Sequence, residues 1–379
     1  MFNFSCTNLL IMRKIPFFLI LLLTVQFPLF AFEDPRPLAI GQTAPDFSLP
    51  ATDGKTYSLK DFSSASVLVV IFTCNHCPTA QAYEDRIKQL VTDYKGKGVA
   101  LVAISPNDPQ AVTLGEMGYT DLGDSFDEMK IRARDKNFNF PYLYDGENSR
   151  ISMQYGPQAT PHVFVFDSAR RLRYTGRIDD GEKPGTAKNH DTRNAIDALL
   201  AGKKVPMEKT KTFGCSIKWP DKRAYADSER AKYAKEPVTI SGVDREQLQD
   251  LIKNDGINYR LINVWATWCG PCVVEFPSFV DMHRMYRNRE FEMISISFDD
   301  PERKQNALNF LIKKQASMTN YIIVGNRYDF IEAIDQEWEG ALPYTMFIGP
   351  GGEIIYSKQG IIDALEMKRI IANSIGRIY

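Results

Sequence analysis

Two pairs of cysteines have types and spacing that support thiol chemistry, Cys74/Cys77 and Cys269/Cys272. Two cysteines three residues apart at the first turn of a helix lie on one face and can close a small disulfide ring. The helix N-terminus stabilises the thiolate of the first cysteine, which acts as the nucleophile, and the second cysteine resolves the mixed disulfide. Both pairs therefore predict thiol–disulfide exchange, with Cys74 and Cys269 as nucleophiles and Cys77 and Cys272 as resolving thiols.

Two other interpretations of such a pair are a structural disulfide and half of a zinc site. Zinc would need a second pair of Cys or His ligands at short spacing, and neither half of the chain has one. Six cysteines and four histidines in 379 residues are also too few for a disulfide-stapled scaffold or a large metal centre. No glycine-rich nucleotide loop precedes a helix, so the sequence predicts neither a metal nor an organic cofactor.

The elements that must position the cysteines occur twice in the same order. An apolar run predicts a buried strand before each pair, and a helix is predicted directly after it. Each half continues with a second apolar strand, and each later places a proline directly before another strand. The first set is 67–72, Pro78 to about Tyr94, 99–105 and Thr160-Pro161, and the second is 261–265, 270 to about 288, 291–298 and Leu342-Pro343. Alternating strands and helices predict an α/β sheet in each half.

Length and composition place a boundary between the two halves. A chain of 379 residues is too long for one ordinary domain. Residues 219–238 are highly charged, contain two prolines and have weak helical character from Ala224 to Lys235. We therefore predict a first domain over 35–220, a linker over 221–238 and a second domain over 239–379. With 46 Lys and Arg against 47 Asp and Glu, the net charge of −1 argues against a nucleic-acid partner.

The N-terminal 31 residues have the pattern of a secretory signal peptide. Arg13 and Lys14 precede an apolar run over 15–30, and Ala31 is the first small residue after it. The alternative is a membrane anchor, but a run of 16 residues with two prolines is short for a span of roughly 20 residues. Export to the periplasm or another extracytoplasmic space is predicted, and removal of the signal with Cys6 leaves Cys215 outside the two pairs.

These residues carry a resemblance to the thioredoxin superfamily. The second half resembles its exported TlpA/ResA-like branch through residues 265–277 and the Leu-Pro at 342–343. The first half resembles the redoxin (AhpC/TSA, peroxiredoxin-like) branch through residues 44–54, 72–78 and the Thr-Pro at 160–161. The resemblance implies two thioredoxin-like domains in tandem, each a central mixed β-sheet flanked by helices.

The resemblance also implies roles for residues outside the cysteine pairs. In the redoxin branch a β-hairpin precedes the core, and residues 47–59 would form it around the Asp53-Gly54 turn. Pro161 and Pro343 would be cis and lie beside the cysteines, so that the preceding Thr160 and Leu342 would contact substrate by backbone pairing. Trp268 is more typical of a wall or docking surface than of a cofactor site.

Neighbouring side chains predict the redox poise of the two pairs. Gly270-Pro271 is the dipeptide that the resemblance associates with reducing behaviour. His76 can donate a hydrogen bond to the Cys74 thiolate or lie near it as a cation. Either would lower the pKa of Cys74 and stabilise the reduced form of the first pair. The first pair is thus predicted to be the stronger oxidant, with electrons flowing from Cys269/Cys272 toward Cys74/Cys77.

A carboxylate and a lone cysteine have two interpretations each. Glu275 lies one helical turn after Cys272 and could relay a proton to it, or it is an ordinary surface carboxylate. Asn263 stands where thioredoxin has a buried Asp, so any acid–base role would pass to Glu275 or water. Cys215 is either a third redox thiol that exchanges with Cys74 or Cys77, or a buried cysteine without a redox role.

The predicted function is an exported thiol–disulfide oxidoreductase with protein thiols as substrates and a membrane reductase as a candidate electron donor. One alternative is a thiol peroxidase. The sequence argues against it, because Ile71 occupies the position where peroxiredoxins have a peroxide-binding Thr, and Thr73 lies next to Cys74 instead. Another is a copper- or haem-pathway chaperone, for which His162 or His190 would have to be the third ligand. His162 is more typical of a solvent-facing strand residue, and neither His190 nor His283 has a pattern that raises it above a surface residue.

Overall fold

The computed structural model describes residues 1–3 and 35–377. Nearly all of the predicted signal peptide, including Cys6, lies outside the described residues. Within them, no helix combines the length and the apolar character that crossing a bilayer requires.

From residue 35 to the end of the first half, the structure has seven strands and four α-helices. In chain order they are β1 (Ser48–Pro50), β2 (Thr56–Ser58), β3 (Val67–Phe72), α1 (Pro78–Asp93), β4 (Val99–Ser105), α2 (Phe126–Asp135), β5 (Tyr142–Tyr144), α3 (Arg150–Tyr155), β6 (His162–Phe166), β7 (Leu172–Gly176) and α4 (Asp191–Leu200). Strands β1 and β2 pair antiparallel, which is the hairpin that the redoxin resemblance implied. The other five form a sheet in the order β5-β4-β3-β6-β7, parallel from β5 to β3 and antiparallel from β3 to β7.

The second half repeats this arrangement with one added strand. After α5 (Arg223–Tyr233) come β8 (Ser241–Val243), α6 (Arg245–Lys253), β9 (Tyr259–Trp265), α7 (Gly270–Tyr286), β10 (Phe291–Ser297), α8 (Lys304–Lys314), β11 (Thr319–Ile323), α9 (Arg327–Ile334), β12 (Tyr344–Ile348), β13 (Ile354–Gln359) and α10 (Ala364–Ser374). The sheet order is β13-β12-β9-β10-β11-β8. The predicted α/β architecture, a mixed sheet flanked by helices in each half, is confirmed.

The central strand of each sheet is buried on both faces, which explains its continuous apolar sequence. In β3, Val69 and Ile71 pack with α1 in one apolar cluster, while Val70 and Phe72 belong to another on the opposite face. Each CxxC pair follows directly after such a strand. The strand therefore holds the start of the active-site helix at the carboxyl edge of the sheet.

The segment predicted as a linker contains an ordered helix that contacts both halves, since Arg223 at its start pairs with Asp108 and Tyr233 at its end meets arginines of the second half. In α5, Ala226 and Tyr233 are seven residues apart on one face, and both are buried. The guanidinium groups of Arg284 and Arg287 lie 4.8 and 5.0 Å from the centre of the Tyr233 ring. An amphipathic helix whose aromatic residue stacks under two arginines is held in place and does not act as a free spacer.

The two halves pack against each other within one compact unit. Tyr286 Oη at the end of α7 donates to the carbonyl oxygen of Thr120 at 2.7 Å. Asp121 is the charged centre of this contact, 2.6 Å from Arg377, 3.2 Å from Arg369 and 3.6 Å from Arg132. The pKa of Asp121 lies below its ordinary value, because Arg377 and Arg132 outweigh the effect of burial, which acts to raise it.

Replacement of Asp121 by Ala is expected to lower the free energy of unfolding by about 3 kcal/mol, because three arginines lose a buried counter-charge. Since the folded-state pKa of Asp121 is lowered, this stabilisation is present above the unfolded value of about 3.9 and is lost as the pH falls through the folded one. Urea denaturation at several pH values measures both effects.

The matched control is Asp127→Ala, which removes an exposed carboxylate paired only with Lys130 one turn along the same helix. We expect it to leave the free energy of unfolding nearly unchanged. Equal losses in the two variants would contradict a central role of Asp121 in the contact between the halves.

Candidate active site

The second cysteine pair lies at the start of α7 and is closed as a disulfide. Cys269 is the N-cap residue, and its sulfur accepts a hydrogen bond from the backbone N–H of Cys272 at 3.2 Å. The two Cα atoms are 5.3 Å apart. Cys269 is 5% exposed and Cys272 is fully buried. The first cysteine is thus the more accessible sulfur and the one on the helix end, as predicted.

An apolar surface surrounds this disulfide. Trp268 is 55% exposed directly before Cys269, and the Arg327 guanidinium lies 5.7 Å from its ring. The Leu342–Pro343 bond is cis, as the resemblance implied. Leu342 packs against the apolar cluster that contains both cysteines. Two of the residues predicted to bind substrate are therefore associated with this pair, Trp268 as its neighbour in sequence and Leu342 by packing against its cluster.

Glu275 is buried one turn below the second pair, so its interpretation as a surface carboxylate is wrong. It accepts hydrogen bonds from the backbone N–H of Ile362 at 3.0 Å and from Asn263 Nδ2 at 3.3 Å. Burial raises the pKa of Glu275 above its ordinary value, with these two bonds acting in the opposite direction. A carboxyl group that holds a proton more readily than usual is suited to proton transfer.

The first pair is placed differently on its helix. The N-cap residue of α1 is Cys77 and not Cys74, and the helix begins at Pro78. The sulfur of Cys77 accepts from the backbone N–H of Ala80 at 3.4 Å, while Cys74 lies before the helix. The prediction that the first cysteine of this pair occupies the helix end is corrected. Proline at the first helical position sets the helix start after Cys77.

Charge at the first site also favours Cys77 as the thiolate. Burial acts to raise the pKa of Cys77, but hydrogen bonds from Cys215 and Cys74 and the nearby His76 hold it well below the usual thiol value. Burial, the hydrogen bond with Cys77 and the charge of Asp124 raise the pKa of Cys74 well above that value. His76 was predicted to activate Cys74. The structure assigns its effect to Cys77.

A buried ion pair supports the charge on His76. Its Nδ1 lies 2.5 Å from Asp124 Oδ2. Burial acts to lower the pKa of His76, but Asp124 outweighs it and raises the pKa above the ordinary value. Asp124 also accepts from the backbone N–H of Asn75 at 2.8 Å and from Asn107 Nδ2 at 2.7 Å. Sequence reasoning missed Asp124 and Asn107, because nothing in their local pattern links them to the cysteines 30 or more residues away.

Thr160 and Cys215 meet at the first pair. Thr160 Oγ1 lies 3.2 Å from Cys74 Sγ, and the thiol form of Cys77 donates to the carbonyl oxygen of Thr160 at 3.3 Å. The Thr160–Pro161 bond is cis, as the resemblance implied. Cys215 packs against the cluster of Cys74 and Cys77, so the structure brings the three sulfurs together. Cys74, Cys77 and Cys215 are not disulfide-bonded.

Two histidines are more buried than the sequence suggested, His162 and His283, whereas His190 is exposed as predicted. His162 is buried, not solvent-facing, with its Nε2 2.9 Å from Thr175 Oγ1 and its Nδ1 accepting from the backbone N–H of Gln158. Burial lowers the pKa of His162 to about 3. His190 is exposed, and burial lowers the pKa of His283 to about 4. His76, rather than His162 or His190, is the histidine nearest to a thiol that could ligate a metal.

One cluster has the donor types of a metal site. Ligand atoms of Cys74, His76 and Asp124 lie within 4.8 Å of one another, all buried. His76 Nδ1 is already bonded to Asp124, so metal binding through this nitrogen would require the ion pair to open.

Comparison with known proteins finds relatives that are named as thiol-disulfide oxidoreductases. ResA, a thiol-disulfide oxidoreductase of Oceanobacillus iheyensis, is 31% identical over 123 residues, which are 32% of this chain and 58% of that protein. ResA of Bacillus subtilis is 27% identical over 111 residues, 29% of this chain and 56% of that protein. The chain thus spans between half and three fifths of the length of these curated relatives.

Among solved structures, a hypothetical protein from Sinorhizobium meliloti 1021 is 34% identical, with a TM-score of 0.43 and coverage of 49% of this chain and 97% of that one. The family model described as AhpC/TSA matches residues 40–175 and 243–357, one segment in each half. These segments include both CxxC pairs and together exceed half of the sequence. The chain therefore belongs to the AhpC/TSA family.

Proposed function

We propose that this chain is an exported thiol–disulfide oxidoreductase that exchanges disulfides with protein thiols through Cys269 and Cys272. The observation that carries the proposal is the disulfide at the N-terminus of α7, with its more accessible sulfur beside the exposed Trp268. The relatives named as thiol-disulfide oxidoreductases support the same activity.

The reaction at the second site proceeds by two exchanges of sulfur bonds. In the reduced protein, the Cys269 thiolate attacks one sulfur of a substrate disulfide, forms a mixed disulfide and releases the other substrate sulfur as a thiolate. Cys272 then attacks the Cys269 sulfur, closes the internal disulfide and releases the second substrate thiol. The backbone N–H that Cys272 donates to Cys269 stabilises the sulfur anion in the first step.

Leu342 and Trp268 hold the substrate in this scheme. Leu342 precedes the cis proline and offers its backbone for pairing with an extended peptide. Glu275 accepts the proton that Cys272 loses when it attacks, since burial raises its pKa and so makes it a stronger base than an ordinary carboxylate.

The first site is proposed to receive electrons from the second. A stabilised thiolate favours the reduced form of a pair, which makes that pair the stronger oxidant. The direction of electron flow predicted from the sequence, from the second pair to the first, therefore stays part of the proposal. It requires one stabilised thiolate at the first site, and this thiolate is Cys77 rather than Cys74.

Export, a periplasmic location and a membrane reductase as the source of electrons complete the proposal. They are supported by the pattern of residues 1–31 and by the resemblance to the exported TlpA/ResA-like branch. Detection of the mature protein in a periplasmic fraction, with its N-terminus near residue 32, tests the location.

A metal-chaperone role is a second candidate, favoured by the cluster of Cys74, His76 and Asp124. Titration of the reduced protein with Cu(I), with and without Asp124→Ala, tests it. Peroxidase activity is disfavoured, since Ile71, fully buried near the end of β3, has no hydroxyl group with which to bind a peroxide.

The Cys269→Ser variant is expected to reduce insulin about a hundredfold more slowly than the wild type, because a serine hydroxyl does not attack disulfides. Cys74→Ser is the matched control and is expected to keep most of the activity. The reverse result would assign protein reduction to the first site. Peroxide consumption by a Cys269→Ser/Cys272→Ser variant would favour the peroxidase alternative.

Cys272→Ala should retain substrate on Cys269, where mass spectrometry identifies it.

The Asp124→Asn variant is expected to raise the pKa of Cys77 and make the first site less oxidising, because His76 loses the carboxylate that keeps it charged. Equilibration with glutathione, in a Cys269→Ser/Cys272→Ser background, should shift on the order of tenfold toward the disulfide. The control is Asp299→Asn, a buried carboxylate that accepts from the backbone N–H of Thr267 just before the second pair. An equal shift in both variants would contradict the assignment.

The Glu275→Gln variant is expected to slow closure of the second disulfide by about tenfold or more, because it cannot accept a proton. Since the folded-state pKa of Glu275 is raised, its stabilising effect is complete below about pH 4 and lost as the pH rises through the folded value. Relative to the wild type, the Gln variant should therefore be more stable at neutral than at acidic pH. Glu290→Gln, which changes an exposed carboxylate, should alter neither the rate nor this pH dependence.

A further inference from the structure

The backbone around Cys215 lies where an extended substrate would bind at the first site. The N–H of Thr160 donates to the carbonyl oxygen of Cys215 at 3.0 Å, and the two residues form an antiparallel bridge. Thr160 directly precedes the cis proline, and this is the position proposed to pair with peptides at the second site. Within residues 35–377, Leu342 forms no comparable bridge. The chain thus occupies its own peptide-binding edge in the first half only.

The residues on both sides of Cys215 hold the segment in this position. A Cβ atom added to Gly214, whose φ is +137°, would lie 2.0 Å from the carbonyl oxygen of Thr160, so only glycine permits the close approach. On the other side, the backbone N–H of Lys218 donates to Asn107 Oδ1 at 2.9 Å, and its carbonyl oxygen accepts from Asp108 at 2.8 Å. Trp219 is buried beyond it.

The three sulfurs differ in their access to solvent. Cys77 is fully buried, Cys74 is 3% exposed and Cys215 is half-buried. Cys215 hydrogen-bonds with Cys77, so an outer thiol contacts the inner one directly. A reagent that approaches from solvent therefore meets Cys215 first.

We propose that Cys215 is the outer redox thiol of the first site and that it exchanges with small disulfides, while its own segment keeps peptides off the Thr160 edge. Backbone pairing with Thr160 is not open to a protein substrate, whereas a low-molecular-weight disulfide needs only an accessible sulfur. The proposal rests on the proposed thiol–disulfide function, and it deepens that function by giving the first site a different class of substrate.

The exchange balances in three steps. Cys215 passes its proton to Cys77 across their hydrogen bond, and its sulfur attacks one sulfur of the small disulfide, forms a mixed disulfide and releases the other half as a thiolate. Cys77 attacks the Cys215 sulfur, so that a Cys77–Cys215 bond forms and the second half leaves as a thiolate. Cys74 then attacks Cys77, closes a Cys74–Cys77 disulfide and returns Cys215 to its reduced form. Two protein thiols are oxidised, their two protons pass to the leaving thiolates, and the small disulfide is reduced to two thiols.

The test uses the full chain with Cys269→Ser and Cys272→Ser, so that its outcome is separate from insulin reduction by the second site. The reduced protein is mixed with oxidised glutathione, and its disulfides are mapped by mass spectrometry over time. We expect a Cys74–Cys77 disulfide as the product. Adding Cys74→Ser should trap Cys77–Cys215, and adding Cys77→Ser should leave glutathione on Cys215.

Adding Cys215→Ser should slow oxidation of the remaining pair by about tenfold or more, because the buried thiols lose their accessible partner. The control places a thiol one residue away, by Ser216→Cys in the Cys215→Ser protein. We expect it to leave the oxidation rate low, because neighbouring side chains of an extended segment point to opposite sides. Oxidation of the Cys215→Ser protein at the unaltered rate, or glutathione on Cys77 with Cys215 still reduced, would overturn the proposal.

Gly214→Ala tests the occupied edge without removing a sulfur. Displacement of the segment should open Thr160 to peptides, so that this variant gains insulin reduction that the parent lacks. A folded Gly214→Ala protein, judged by circular dichroism, that neither reduces insulin nor oxidises more slowly with glutathione would contradict the blocking role. If this variant does not fold, the Cys215→Ser comparison decides the proposal.

Discussion

The backbone N–H groups at the start of an active-site helix have no partners within the helix, and in each half of this protein a cysteine sulfur lies at that point. The position of a proline decides which sulfur it is. Pro271 lies within the second pair, at the second helical position, and leaves Cys269 as the N-cap. Pro78 follows the first pair, occupies the first helical position and makes Cys77 the N-cap. Two motifs with identical cysteine spacing therefore activate different members of the pair.

Access to solvent follows from the chain around each helix start. At the second site an exposed tryptophan directly precedes Cys269, and this cysteine retains slight exposure. At the first site, the segment after the last helix of that half returns across the cis-proline loop and pairs with Thr160. Within the part of the chain that the structure describes, the same strand–helix framework thus leaves the residue before the cis proline without such a bridge at the second site and covers it with the chain's own backbone at the first.

Buried charge ties the first site to the contact between the halves. The loop that carries Asp121, whose carboxylate meets arginines from both halves, continues to Asp124, which holds His76 as a cation beside Cys77. Asn107 bridges Asp124 and the segment that carries Cys215. The charge on the first active site is consequently built from residues spread over much of the first half.

The sequence by itself determined the parts of this protein that depend on local patterns. Apolar runs located the central strands, proline and spacing located the helices after the cysteines, and a family resemblance anticipated the hairpin and both cis prolines. Only the tertiary structure decided the environment of each group. It buried His162 and Glu275, placed Asp124 on His76 and brought Cys215 to Cys77, because burial and long-range contacts depend on how distant segments pack. The activated sulfur of the first pair belongs to this second class, since its protonation is set by charges that are close in space and far apart along the chain.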